Sequence, residues 1–179
     1  PASQFILSMA VASAICTALA HYVHADCLQI KWPNDIYWKD KKIAGILIEN
    51  DLTGSQISQS IIGIGININQ EEFHSSAPNP VSLRITKKET DRMEVLNSVL
   101  EHIIDLYSRI ENRETDIITK IQEYYLKAQY RKEGYHPYCD AKGEFTAKLI
   151  RVEPDGHLIL KDKNGSLRKY AFKEVKYLL

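Results

Sequence analysis

Phe5, Met9, Ala12, Cys16 and Leu19 fall three or four positions apart, which predicts a helix from Ser3 to about Tyr22 with this stripe turned inward. Leu28, Ile30 and Trp32 then alternate with other residues as a short strand, stopped by Pro33, whose missing N–H cannot extend a ladder. Ile36 to Trp38 and Ile43 to Ile48 read as a hairpin around Lys39-Asp40-Lys41. From Ile57 to Ile68 the isoleucines at 57, 61, 62, 64, 66 and 68 favour a central strand over a helix. Gly63 and Gly65 weaken such a strand unless another backbone or a ligand approaches closely. The polar stretch Gln70 to Pro80 predicts an exposed loop with a turn at Asn79-Pro80.

Asp91 and Glu94 are spaced for a capping box ahead of Val95, Leu96, Val99, Leu100, Ile103, Ile104 and Tyr107, a long amphipathic helix. A second helix, Asp116 to Ala128, carries Ile118, Ile121, Tyr125 and Ala128, and the two are expected to cover one face of the sheet. From Tyr138 the pattern changes to alternating strands at Phe145, Ala147 and Leu149, at Leu158 and Leu160, and at Leu167. Breaks at Pro154-Asp155-Gly156 and Asn164-Gly165 are hairpin signals, so this part reads as a small all-β module. No internal repeat or low-complexity tract is visible.

A length of 179 residues suits one main core with a small appendage. Basic and acidic residues balance at 23 each, so charge recruits neither nucleic acid nor an anionic membrane. Ser3, Gln4, Ser8, Ser13, Thr17 and His21 interrupt the apolar start, which argues against a spanning helix, and a basic signal-peptide start is absent. Cys16, Cys27 and Cys139 are scattered and odd in number, which argues against disulfides or a zinc site and fits a reducing cytoplasm. His21, His24, His102, His136 and His157 show no metal-ligand spacing.

The chemistry concentrates in Lys31-Trp32-Pro33-Asn34-Asp35 and Lys41-Lys42-Ile43-Ala44-Gly45-Ile46-Leu47, which set lysines and a carboxylate around a rigid turn, an arrangement suited to phosphate charge. On composition alone each residue also has a structural reading: Lys42 as a solvated lysine, Lys31 and Asp35 as an ion pair, Gly45 as a bulge or packing glycine, Trp32 as core. Gly63-Ile64-Gly65-Ile66-Asn67 is not a dinucleotide fingerprint, because the third glycine is missing and no helix follows at once. Asn67 can donate and accept together, which suits a ribose or an adenine edge and equally a turn at a strand end.

K-W-P-N-D followed by K-I-A-G-I-L resembles the central segment of biotin protein ligases, which activate biotin with ATP and transfer it to a carrier lysine. The resemblance implies an α+β fold: residues 1–132 as part of a catalytic domain, a mixed sheet layered with helices, and residues 133–179 as a C-terminal SH3-like β-barrel. It implies Lys42 and Asp35 as catalytic residues, Lys42 and Gly45 at biotin, and Asn34, Gly63, Gly65, Ile66 and Asn67 at the adenylate. ATP, biotin and phosphate-bound Mg2+ would be the small molecules, a biotin carboxyl carrier protein the partner, and a homodimer the assembly; no nucleic acid or membrane is implied. Where many members carry a tryptophan against adenine this sequence aligns Pro80, with Phe73 and His74 as nearby rings. Where some present an arginine near the end it has Leu178, with Arg168 unplaced. The family's upstream G-R-G-x-x-G segment has no counterpart here, and an opening at Pro1 inside a core-type helix predicts a piece of a longer chain with impaired turnover on its own. A lipoate or octanoyl ligase or transferase, and a non-catalytic carrier-binding module, remain as alternatives.

Overall fold

The computed structural model describes residues 2–54, 56–74, 79–86 and 88–178. Helix α1 (Ala2–Leu19) is followed by β1 (Leu28–Lys31), β2 (Asp35–Trp38), β3 (Lys41–Thr53) and β4 (Gln56–Ile66), which form an antiparallel sheet in that order. Short hairpins between successive strands leave no room for crossovers, so antiparallel pairing is forced. Among the described residues, parallel pairing is confined to two isolated bridges, Ile30 with Gln129 and Lys42 with Pro80. β3 runs five residues past the predicted Ile48, through polar Glu49-Asn50-Asp51, because β4 supplies its ladder partners there.

Alternation divides this sheet cleanly. Ala44, Ile46 and Ile48 on β3 point with Ile66, Ile64 and Ile62 on β4 toward the core, while Gly45, Leu47 and Glu49 and their partners Gly65, Gly63 and Ile61 take the other face. Against the core face lies α1, and α2 (Arg92–Glu111) and α3 (Ile117–Lys127) pack on α1. The helices therefore do not form a single cover over the sheet: α1 is the inner layer and α2 and α3 the outer one. This is why α1 is buried nearly all round from Met9 to Leu19, with Thr17 exposed, rather than along the expected stripe. Its hydroxyls are satisfied within the helix, Ser13 Oγ donating to the Met9 carbonyl at 2.7 Å and Thr17 Oγ1 to Ser13 at 2.9 Å. Among the described residues no helix is long and apolar enough to cross a membrane.

Asp91 caps α2 by accepting from the Met93 amide at 2.7 Å, and among the described residues Glu94 makes no return bond. Only part of the predicted apolar face is used: Val95 and Val99 are buried, whereas Leu96, Leu100, Ile104 and Tyr107 are exposed. The chain after α3 returns to the sheet, where the Ile30 amide donates to the Ala128 carbonyl and the Tyr130 amide to that of Ile30.

The second sheet is antiparallel with the order β8 (Leu167–Tyr170), β7 (Leu158–Asp162), β6 (Gly143–Val152), β5 (His136–Asp140), β9 (Lys176–Tyr177). The predicted breaks at 154–156 and 164–165 are the β6–β7 and β7–β8 turns, with Gly156 and Gly165 at positive φ. Arg168 stays within this sheet, bonding Asp162 at 3.0 Å and Asp140 at 3.2 Å.

The Gly156 turn locks the two sheets together. Trp32 Nε1 donates to the Gly156 carbonyl at 2.9 Å, and a Cβ on Gly156 would stand 2.8 Å from the Phe5 ring at a φ of +91°. Gly156→Ala is expected to destabilise the protein by at least ~1 kcal/mol, lowering the thermal midpoint by about 2–4 °C per kcal/mol in a differential scanning calorimeter. An unchanged midpoint would mean that Phe5 does not pack there.

Candidate functional site

The turn Trp32-Pro33-Asn34 contains a cis Trp32–Pro33 peptide and is held from three sides. Trp32 is buried and bonded to Gly156 as described, so its structural reading is the one observed. Tyr125 on α3, fully buried, donates its hydroxyl to the Pro33 carbonyl at 3.3 Å. Asn34 makes a reciprocal pair with β3: its Nδ2 donates to the Ile46 carbonyl at 2.6 Å, and the Ile46 amide donates back to the Asn34 carbonyl at 2.9 Å. Its side-chain donor is thus engaged in holding the turn.

Just beyond the turn, Asp35 on β2 pairs with Gly45 on β3, while the next pair, Tyr37 with Lys42, is displaced by a register shift. The extra residue puts Ile43 and Ala44 both into the core, and so returns Lys42 to the same face as Asp35 and Gly45. The Lys42 ammonium reaches Asp35 at 2.6 Å and hangs over Gly45, where an added Cβ would lie 3.1 Å from Nζ. The expected Lys31–Asp35 ion pair is not the one formed. Asp35 is taken by Lys42, and Lys31 stands over the rings of Tyr37 and Tyr177 at 5.0 and 5.2 Å. The Lys42 backbone is fixed from the far side by the segment carrying Pro80: its amide donates to Asn79, and its carbonyl accepts from the Val81 amide, both at 2.9 Å.

Gly45 is paired with Gly65 and Leu47 with Gly63. A Cβ at Gly65 would meet nothing within 4 Å, and one at Gly63 only Leu47 at ordinary contact distance. Protein packing therefore does not account for these glycines, and what they provide is a flat floor of exposed backbone beside an ammonium. Ile66, opposite Ala44, turns its side chain to the core and offers only backbone. Asn67, just past β4, donates through Nδ2 to the Val81 carbonyl at 3.1 Å, tying the strand end to the segment that fixes Lys42. The structure thus brings Lys42, Asp35, Gly45 and Gly65 together, keeps Gly63 one register step away, and places Asn34 and Asn67 as braces at either side.

A cleft of ≈ 280 Å³ opens beside the turn, lined by Trp32, Asn34, Leu47, His157 and Phe172 among others. Of the rings considered for adenine, His74 is exposed near Glu72, Phe73 is partly buried, and residues 75–78 of that loop lie outside the described residues. No group of three or more potential metal ligands occurs among the described residues. All three cysteines are free, and burial pushes the Cys16 thiol up to about 12.

Residues 2–67, which hold α1, the turn, both glycine-bearing strands and Lys42, match the biotin/lipoate A/B protein ligase family. This segment is similar to that family. The similarity continues in two curated relatives, both named bifunctional ligase/repressor BirA. The Escherichia coli protein is 38% identical over 81 residues, covering 44% of this chain and 24% of its own length. That of Bacillus subtilis is 29% identical over 148 residues, covering 79% of this chain and 44% of its own. The chain thus spans less than half the length of these relatives. The fold of the chain is that of a biotin protein ligase structure from Aquifex aeolicus, with a TM-score of 0.73 at 24% identity over 96% of this chain and 74% of that one. Sequence reasoning missed the Lys42–Asp35 pairing, since a bulge is invisible in an apolar pattern, and the staple from Trp32 to Gly156, which joins distant parts of the chain.

Proposed function

We propose that this chain activates biotin with ATP to biotinyl-AMP and passes the biotinyl group to a lysine of a biotin carboxyl carrier protein. The observation that carries this reading is the glycine floor of Gly45, Gly65 and Gly63 beside the Lys42 ammonium, which stands over Gly45. A slim apolar acid can lie on exposed backbone there with its carboxylate at a cation. In the first step a carboxylate attacks the α-phosphate and pyrophosphate leaves, so negative charge builds on the phosphoryl oxygens. An ammonium already held at the site stabilises that charge with little reorganisation. Lys42 takes this role, and Asp35 holds Lys42 and positions the incoming carrier lysine.

Gly45 forms the wall at biotin. Gly63, Gly65 and Ile66 offer backbone to the adenylate, with Asn34 and Asn67 bracing the two sides, and Mg2+ travels with ATP through its phosphates. Residues 1–132 act as the catalytic portion. Residues 133–179, whose five antiparallel strands fit an SH3-like module, close the cleft at the Trp32 turn. Two copies would pair side by side through sheet edges, and the free cysteines suit a reducing cytoplasm.

Exchange of labelled pyrophosphate into ATP tests the reading. The expected result is exchange that depends on biotin and does not occur with lipoate, slow in this chain on its own and faster in a longer chain that carries the G-R-G-x-x-G segment. Exchange with lipoate and none with biotin would move the chain to the lipoate branch of the family.

A further inference from the structure

Lys31, Asp35, Gly45 and Gly65 are register partners in one row across β1, β2, β3 and β4. Lys42 enters that row from the bulge, so two ammonium groups flank a single carboxylate. Asp35 bonds Lys42 at 2.6 Å, and among the described residues no carboxylate lies within ion-pair distance of Lys31. The Lys31 ammonium rests instead on the faces of Tyr37 and of Tyr177, the latter contributed by the C-terminal sheet. Burial lowers its pKa; Lys42 and Arg131 push the same way and Asp35 opposes them. Arg131 is engaged elsewhere, over the Tyr130 ring and on the Leu178 carbonyl at 2.8 Å.

Lys42 reaches a phosphate only by loosening its hold on Asp35. The Asp35 side chain is 20% exposed, and leaving such a carboxylate without a counter-charge is costly. Facing residues on neighbouring antiparallel strands have Cβ atoms roughly 4.5–5.5 Å apart, so a rotamer change brings Lys31 onto Asp35.

We propose that Lys31 is a positioning residue that takes over the Asp35 carboxylate when Lys42 turns to an anionic reactant, and that the Tyr37 and Tyr177 rings hold it in readiness. Through Tyr177 the C-terminal sheet contributes to the charge balance of the site. The proposal rests on the reading that Lys42 engages phosphate.

Competitive acylation of the folded chain with acetic anhydride, followed residue by residue by mass spectrometry, tests the exchange without any substrate. Lys31→Met leaves Lys42 as the sole partner of Asp35 and is expected to slow Lys42 acylation about 3-fold or more, an effect that vanishes in an Asp35→Asn background. Tyr177→Leu, which keeps Lys31 but removes one ring, shifts the Lys42 rate the opposite way. An unchanged or faster Lys42 rate in Lys31→Met overturns the proposal. Calorimetric titration with AMP supplies the second readout. Lys31→Met is expected to weaken AMP about 5-fold, Lys31→Arg to recover most of the loss, and Lys31→Met to add nothing once Asp35 is Asn. An equal loss with and without the Asp35 carboxylate overturns the exchange, because Lys31 would then contact the phosphate directly. Failure of the unaltered chain to bind AMP counts against the phosphate reading of Lys42, and the acylation cycle still decides the exchange between the two lysines.

Discussion

Lys42→Ala is expected to reduce biotin-dependent pyrophosphate exchange by about 10²- to 10³-fold, the loss of roughly 2.7–4 kcal/mol that follows removal of one preorganised donor at a developing negative charge. The backbone of Lys42 is bonded on both sides, to Asn79 and to Val81, and its chain crosses Gly45 to Asp35. The lysine is therefore held beside the site before charge develops and needs only a side-chain turn away from Asp35, which is the condition for so large an effect. Stability should change little. The pair with Asp35 is about one-third exposed on the lysine side, and such partly solvated pairs contribute roughly 0–1 kcal/mol. A large loss of exchange with a thermal midpoint lowered by no more than a few degrees is the expected combination. Exchange at the original rate removes Lys42 from the chemistry.

Tyr125→Ala is expected to have the largest effect on stability. Tyr125 is fully buried, packs edge-on against Phe5 at 5.8 Å between ring centroids, and props the Pro33 carbonyl through its hydroxyl. Truncating a buried aromatic to alanine typically costs about 3–5 kcal/mol, through lost burial and the cavity left behind. The carbonyl it supports belongs to the turn that orients Asn34 and Asp35, so exchange should fall along with the melting temperature. Tyr125→Phe retains the ring and loses one hydrogen bond, a cost of roughly 0.5–1.5 kcal/mol. Denaturant unfolding of the two variants separates ring from hydroxyl: equal losses would mean that the ring packing is not the main contribution.

The elements were largely legible because each obeys a local rule. Isoleucines in alternation fixed the core face of β4, Pro33 ended β1, and turn residues marked the C-terminal hairpins. The run around Lys42 was legible as a charge cluster at a rigid turn, because its lysines and carboxylate flank Pro33. What could not be read depends on non-local geometry. One extra residue on β3, Ile43 opposite the Ile36–Tyr37 step of β2, exchanged the partner of Asp35 from Lys31 to Lys42. The two apolar sides of α2 look equivalent along the chain, and only the position of α1 decides that Val95 and Val99 are buried while Leu96 and Leu100 are not. Asn34 and Asn67 illustrate a further limit, since a side-chain amide that suits a ligand suits a neighbouring carbonyl equally well: Asn34 donates to Ile46 and Asn67 to Val81.

On the proposed function the ligand lies on the open face of the first sheet. Backbone amide NMR of the chain titrated with a non-hydrolysable biotinyl-adenylate analogue tests it most directly. Saturable shifts are expected at Gly45, Leu47, Gly63, Gly65 and Asn67, together with the Lys42 amide, with little change along β6 and β7. Shifts confined to the second sheet or to the outer helices, or no saturable shift at all, would contradict it.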